Sequence, residues 1–74
     1  MTGDEFRSWR ERHRMTQPQA GVVHCVSDRM VRAWEAAGPG DAPMDPRSVM
    51  LCAAWDWLLP DRRKQLLKLA QRQK

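Results

Sequence analysis

Apolar residues return at three- and four-residue intervals along most of this chain and nowhere alternate singly over a strand's length, which predicts an all-α fold. Phe6, Trp9 and His13 share one face of a first helix predicted over 3–13, with Arg7 and Arg14 on or near the wet side. Thr2 followed by Glu5 fits a capping box. A second helix opens at Thr16, with Gln19 three places on and Pro18 in the first turn, where its missing N–H costs nothing. Ala20, Val23 and His24 form its inner face. Cys25 and Val26 make a turn. Glycine is the usual residue where a turn needs positive φ, so Cys25 there predicts some strain or a different turn shape.

Ser27 caps a third helix, in which Val31 and Trp34 are the core residues and Asp28, Arg29, Arg32 and Ala33 project elsewhere. Residues 37–43 hold two glycines and two prolines and read as a loop. Asp45, with Pro46 after it, starts a fourth helix running through Leu51, Ala54, Trp55 and Leu58. Pro60 beside Asp61 marks a break and restart. A fifth helix over 60–72 follows, with an apolar stripe from Leu59, Leu66, Leu67, Leu69 and Ala70 and basic residues filling the rest.

Seventy-four residues are expected to form one domain, 1–74. A chain this short has a small core, and a dimer interface would add to its stability. No apolar run approaches the ~20 residues of a membrane span, and no signal-peptide pattern opens the chain, so a cytoplasmic, nucleoid-associated location is expected. Cys25 and Cys52 are too few for a disulfide framework and are expected to be buried, reduced thiols. With His13 and His24 they match no zinc-ligand spacing, so no metal or cofactor is expected, and no nucleophile pair or paired-carboxylate site suggests an enzyme. The net charge of +4 favours polyanionic partners.

Residues 16–36 have the layout of a helix-turn-helix, whose second helix enters the DNA major groove. Within that layout Arg29 is placed for a bidentate contact to guanine, and Arg32 for a base or a phosphate. Met30 or Ala33 suits a thymine methyl, and Asp28 can accept from cytosine N4. Gln17 and Ser27, at helix N-termini, and Arg47, in the first turn of the fourth helix, are phosphate candidates.

The chain resembles the phage repressor/Cro-like (XRE) helix-turn-helix family over about 6–58. The resemblance is carried by Gln17, Gly21, Val26, Ser27, Val31, Trp34 and Glu35, with Arg10 on the first helix. The family usually has Ala where Gly21 stands, a large aliphatic residue at His24 and Gly at Cys25. The resemblance implies a compact five-helix lambda-repressor-like domain. It also implies sequence-specific binding of double-stranded DNA and transcription regulation, by a small repressor or autoregulator acting as a homodimer on an inverted-repeat operator. It further implies that Gln17 anchors the DNA backbone and that Arg10 and Glu35 form a structural ion pair.

Trp55 and Trp57 point to different faces of the fourth helix, so at least one is expected outside the monomer core. With Leu58, Leu59, Leu66 and Leu67 it is a candidate dimer surface; the alternative is that the fifth helix folds back onto the domain. Two other functions compete. One is a protein-interaction module reusing the fold, such as an antitoxin-type partner-binding regulator. The other is a non-specific nucleic-acid binder working through the basic tail.

Overall fold

Four of the five helices open on a side-chain oxygen that closes back on the backbone three residues on. Thr2, Thr16, Ser27 and Asp45 accept from the N–H groups of Glu5, Gln19, Met30 and Ser48 at 3.0, 3.2, 3.1 and 3.0 Å. Glu5 and Gln19 return the bond to the backbone of Thr2 and Thr16, each at 2.8 Å, completing two capping boxes. Each such cap stabilises its helix by about 1 kcal/mol. The computed structural model of the chain describes residues 1–72; Gln73 and Lys74, the end of the expected domain, lie outside the described residues. The helices are α1 (Gly3–Arg12), α2 (Gln17–His24), α3 (Asp28–Ala36), α4 (Pro46–Trp57) and α5 (Pro60–Arg72). The described residues contain no strand, only an isolated antiparallel bridge between Thr2 and Asp41.

One core joins the first four helices: Phe6 and Trp9 from α1, Ala20 and Val23 from α2, Val31 and Trp34 from α3, Cys52 and Trp55 from α4. Phe6 meets Trp34 edge-on with ring centroids 5.2 Å apart, and Trp9 Nε1 donates to the Cys52 carbonyl at 3.0 Å, tying α1 to α4. The start of α1 rests on the end of α3, where a Cβ at Gly3 would stand 2.6 Å from the Trp34 carbonyl oxygen. Only a glycine permits that approach. The first N–H groups of α1 are then satisfied by the loop that follows α3, Gly3 donating to Gly40 and Asp4 to Gly38 at 3.1 and 2.9 Å. The radius of gyration, 11.5 Å, matches the ~11 Å of a compact chain of this length.

Three expectations need correction. Trp55 is only 4% exposed and belongs to the core, so it is unavailable to a partner. Leu66 and Leu67 are half-buried against that same core, because α5 folds back onto α2. The apolar stripe of α5 is thus largely used within the chain. Cys25 is exposed rather than buried, whereas Cys52 is buried. No helix among the described residues is long and apolar enough to cross a membrane.

Candidate nucleic-acid interface

The turn between α2 and α3 is held by backbone bonds. Cys25 N–H reaches the Val22 carbonyl at 3.1 Å, and Val26 N–H reaches Gly21 at 2.8 Å. Cys25 is left-handed (φ 57°, ψ 39°), the conformation a helix commonly takes just past its end. That backbone carries its side chain away from the core and explains its exposure. The turn folds so closely over α2 that a Cβ at Gly21 would lie 2.7 Å from the Val26 carbonyl oxygen.

The tight turn sets the face that α3 presents. Val31, Trp34 and Glu35 point inward, while Arg29, Met30, Arg32 and Ala33 are exposed and Asp28 is half-buried. Arg32 Nη1 donates to Asp28 Oδ2 at 3.0 Å, so these two candidate base readers are paired with each other. Arg29 has no hydrogen-bond or ion-pair partner among the described residues. Ser27 is exposed, with its hydroxyl committed to the α3 cap. Arg47 is exposed at the start of α4 and borders the same cleft as Cys25, Met30 and Asp45. The fold therefore brings Arg47 to the α3 side of the molecule.

Behind that face lies a buried carboxylate. Arg10 donates from Nε to Glu35 Oε2 at 2.6 Å and from Nη2 to Oε1 at 3.0 Å. Arg7 Nε and Gln17 Nε2 reach Oε1 at 3.2 and 3.4 Å. Burial pushes the Glu35 carboxyl up, but these donors more than offset it and hold it below the usual carboxylate range. Arg10 also donates to the Met15 carbonyl at 2.9 Å, so one guanidinium joins α1, the α1–α2 connection and α3. Gln17 is half-buried at the start of α2.

Sequence reasoning missed three features near this frame. Arg7 is exposed, as its place on or near the wet side implies, but its long side chain also reaches Glu35. His13 and Arg12 both bind Asp56, at 2.6 and 2.9 Å, a link from the end of α1 to the end of α4 that no local spacing reveals. His24 sits among Phe6, Trp9 and Trp34, with Nε2 3.6 Å from Cys52 Sγ and Nδ1 without a partner. Burial pushes the imidazole down to about 4 and the Cys52 thiol up to about 12.

Of the remaining dimer candidates, Trp57 and Leu59 are 84% and 70% exposed, and Leu58 is half-buried at the end of α4. Among the described residues no three His, Cys, Asp or Glu side chains group as a metal site. No protein-family model matches the chain, and no curated protein or solved structure is significantly similar to it.

Proposed function

We propose that this chain is a sequence-specific double-stranded-DNA-binding transcription regulator, a lambda-repressor-like helix-turn-helix domain acting as a small repressor or autoregulator in the nucleoid. The observation that carries this reading is the division of α3. Its inner side is locked by Val31, Trp34 and the Glu35 carboxylate, while its outer side offers Arg29, Met30, Arg32 and Ala33 to a partner. With its side chains an α-helix is roughly 10–12 Å across, a width that a major groove ~12 Å wide admits. Arg29, with no internal partner, reads base edges. Gln17, Ser27 and Arg47 hold phosphates around it and fix the register without reading sequence. One such helix covers only a few base pairs, so a homodimer on an inverted repeat supplies the missing affinity and specificity.

In vitro selection from a random double-stranded DNA library at moderate salt tests the proposal. A motif with two inverted half-sites is the expected result. A motif with one half-site keeps the regulator and removes the symmetric dimer. No enrichment from folded protein overturns DNA reading and leaves a protein-interaction module in its place.

A further inference from the structure

Between Arg47 and Asp56 α4 carries apolar residues on its outer as well as its inner side, yet only the inner side is covered. Its inner side sends Ser48, Cys52 and Trp55 into the core. Its outer side carries Pro46, Met50, Ala53, Ala54 and Trp57, all exposed, with Met50 at 71% and Trp57 at 84%. Leu59, 70% exposed, follows directly. An apolar stripe on a helix is normally buried against a partner. The residues that form this face, Met50, Ala53, Ala54 and Trp57, are all apolar, and the charged Arg47 and Asp56 flank it, so its centre favours an apolar partner surface.

We infer that the outer face of α4 is covered by the same face of a second copy, as an antiparallel α4–α4 pair about a two-fold axis between Ala53 and Ala54. This gives the dimer of the proposed function a surface and rests on that reading only for its purpose. The register carries the inference. Met50 and Trp57 lie two turns apart and equally distant in sequence from the Ala53–Ala54 bond. An antiparallel crossing there sets each Met50 against the other copy's Trp57, a sulfur–aromatic contact made twice. The two alanines at the crossing let the helices approach to the short end of the ~8–10 Å range. A two-fold interface requires such self-complementarity, because the same patch must serve both sides. The area is also sufficient. An aromatic side chain buries ~150–250 Å². With Met50, Leu59 and the alanines, the face offers on the order of 600 Å² per copy, enough for the low end of a specific interface at ~1,200 Å² in total.

Sedimentation velocity on the full chain, without DNA, tests the pairing. The wild type is expected to be a dimer and Trp57→Glu a monomer with unchanged helical circular dichroism, since Trp57 supports nothing in the core. Ala54→Cys in a Cys25→Ser background is expected to form a disulfide with itself on mild oxidation, and Gln65→Cys, on α5, is not. A wild type that stays monomeric, a Trp57→Glu variant that stays dimeric, or cross-linking through Gln65→Cys alone would each overturn the interface. The two proposals fail separately. A monomer that selects a single half-site sinks this interface and leaves DNA reading standing. A dimer that selects no sequence supports the interface and sinks DNA reading.

Discussion

Glu35 Oε2 and Arg10 Nε stand 2.6 Å apart, with the carboxylate side chain 2% exposed and the guanidinium side chain 15% exposed. Removing one partner of a buried pair strands the other charge, which costs far more than the pair itself contributes. Arg10→Met is therefore expected to destabilise the fold by about 3 kcal/mol. Arg7→Met, from a side chain that is half exposed, is expected to cost less than about 1 kcal/mol. Replacing both partners, Arg10→Met with Glu35→Leu, should recover most of the loss, because no uncompensated charge remains. Urea unfolding of the four proteins checks this. Equal losses from Arg10→Met and Arg7→Met would show that the two arginines share the carboxylate and that burial does not rank them.

Much of this frame is readable from local chemistry. Thr2, Thr16, Ser27 and Asp45 announce helix starts because a cap is completed within three residues. Phe6, Trp9, Val31 and Trp34 announce the core because their helices have a clear wet side. α4 has none, so nothing local distinguishes Trp55 from Trp57; the packing of α1 to α3 against one side makes Trp55 core and leaves Trp57 bare. The stripe of α5 raised a similar ambiguity, which its docking on α2 removes for Leu66 and Leu67. The average behaviour of cysteine predicts a buried Cys25, whereas its left-handed backbone decides its exposure. In the candidate site, Arg29 and Ser27 follow from position on α3. The closeness of Gln17 to Glu35 and of Arg47 to Met30 depends on how the helices pack.

Arg29 and Gln17 are expected to fail in different ways. Arg29 has no internal partner, so Arg29→Ala should leave stability unchanged and lower discrimination at one base pair by about 1–3 kcal/mol. Gln17→Ala should weaken all sites alike, because phosphate contacts carry no sequence information. Arg47→Ala should also weaken sites uniformly and reduce the slope of log affinity against log salt by about 1. Binding measured across a library of single-base variants at several salt concentrations separates the three. Equal losses over the whole library for Arg29→Ala and Gln17→Ala would contradict the division of labour.

His24 makes stability depend on pH. In the folded chain burial holds its imidazole down to about 4, only partly opposed by Asp45, against an ordinary value of 6.5. Between those values the unfolded chain binds the extra proton, so stability rises with pH across the window. The contribution is complete above pH 6.5 and is lost progressively as pH falls towards 4. The full effect is on the order of 3 kcal/mol. His24→Leu removes the titrating group and the unpartnered Nδ1 while keeping an apolar side chain in place. Urea midpoints measured from pH 7 to pH 4 should fall more steeply for the wild type than for His24→Leu. Parallel curves would mean that other groups carry the acid sensitivity.

The turn between α2 and α3 offers two small substitutions whose expected effects have opposite signs. Cys25 holds a left-handed backbone at φ 57°, which costs a residue with a Cβ about 1–2 kcal/mol. Cys25→Gly removes that strain but gives the unfolded chain more freedom, so the net gain expected is about 1 kcal/mol. Gly21→Ala gains about 1 kcal/mol of helix propensity. Its new Cβ, however, would sit 2.7 Å from the Val26 carbonyl oxygen, a backbone atom that moves only if the turn moves. Overpacking of this kind costs about 1–3 kcal/mol, so the net expected effect is destabilising. The two sites share one turn, and their effects should not add. If Cys25→Gly relaxes the turn and lifts Val26 away from α2, the double variant will be more stable than the sum of the single changes predicts. Urea unfolding of the singles and the double measures that coupling. A Gly21→Ala variant more stable than the wild type would show that the turn yields freely and that helix propensity, not close packing, governs this position.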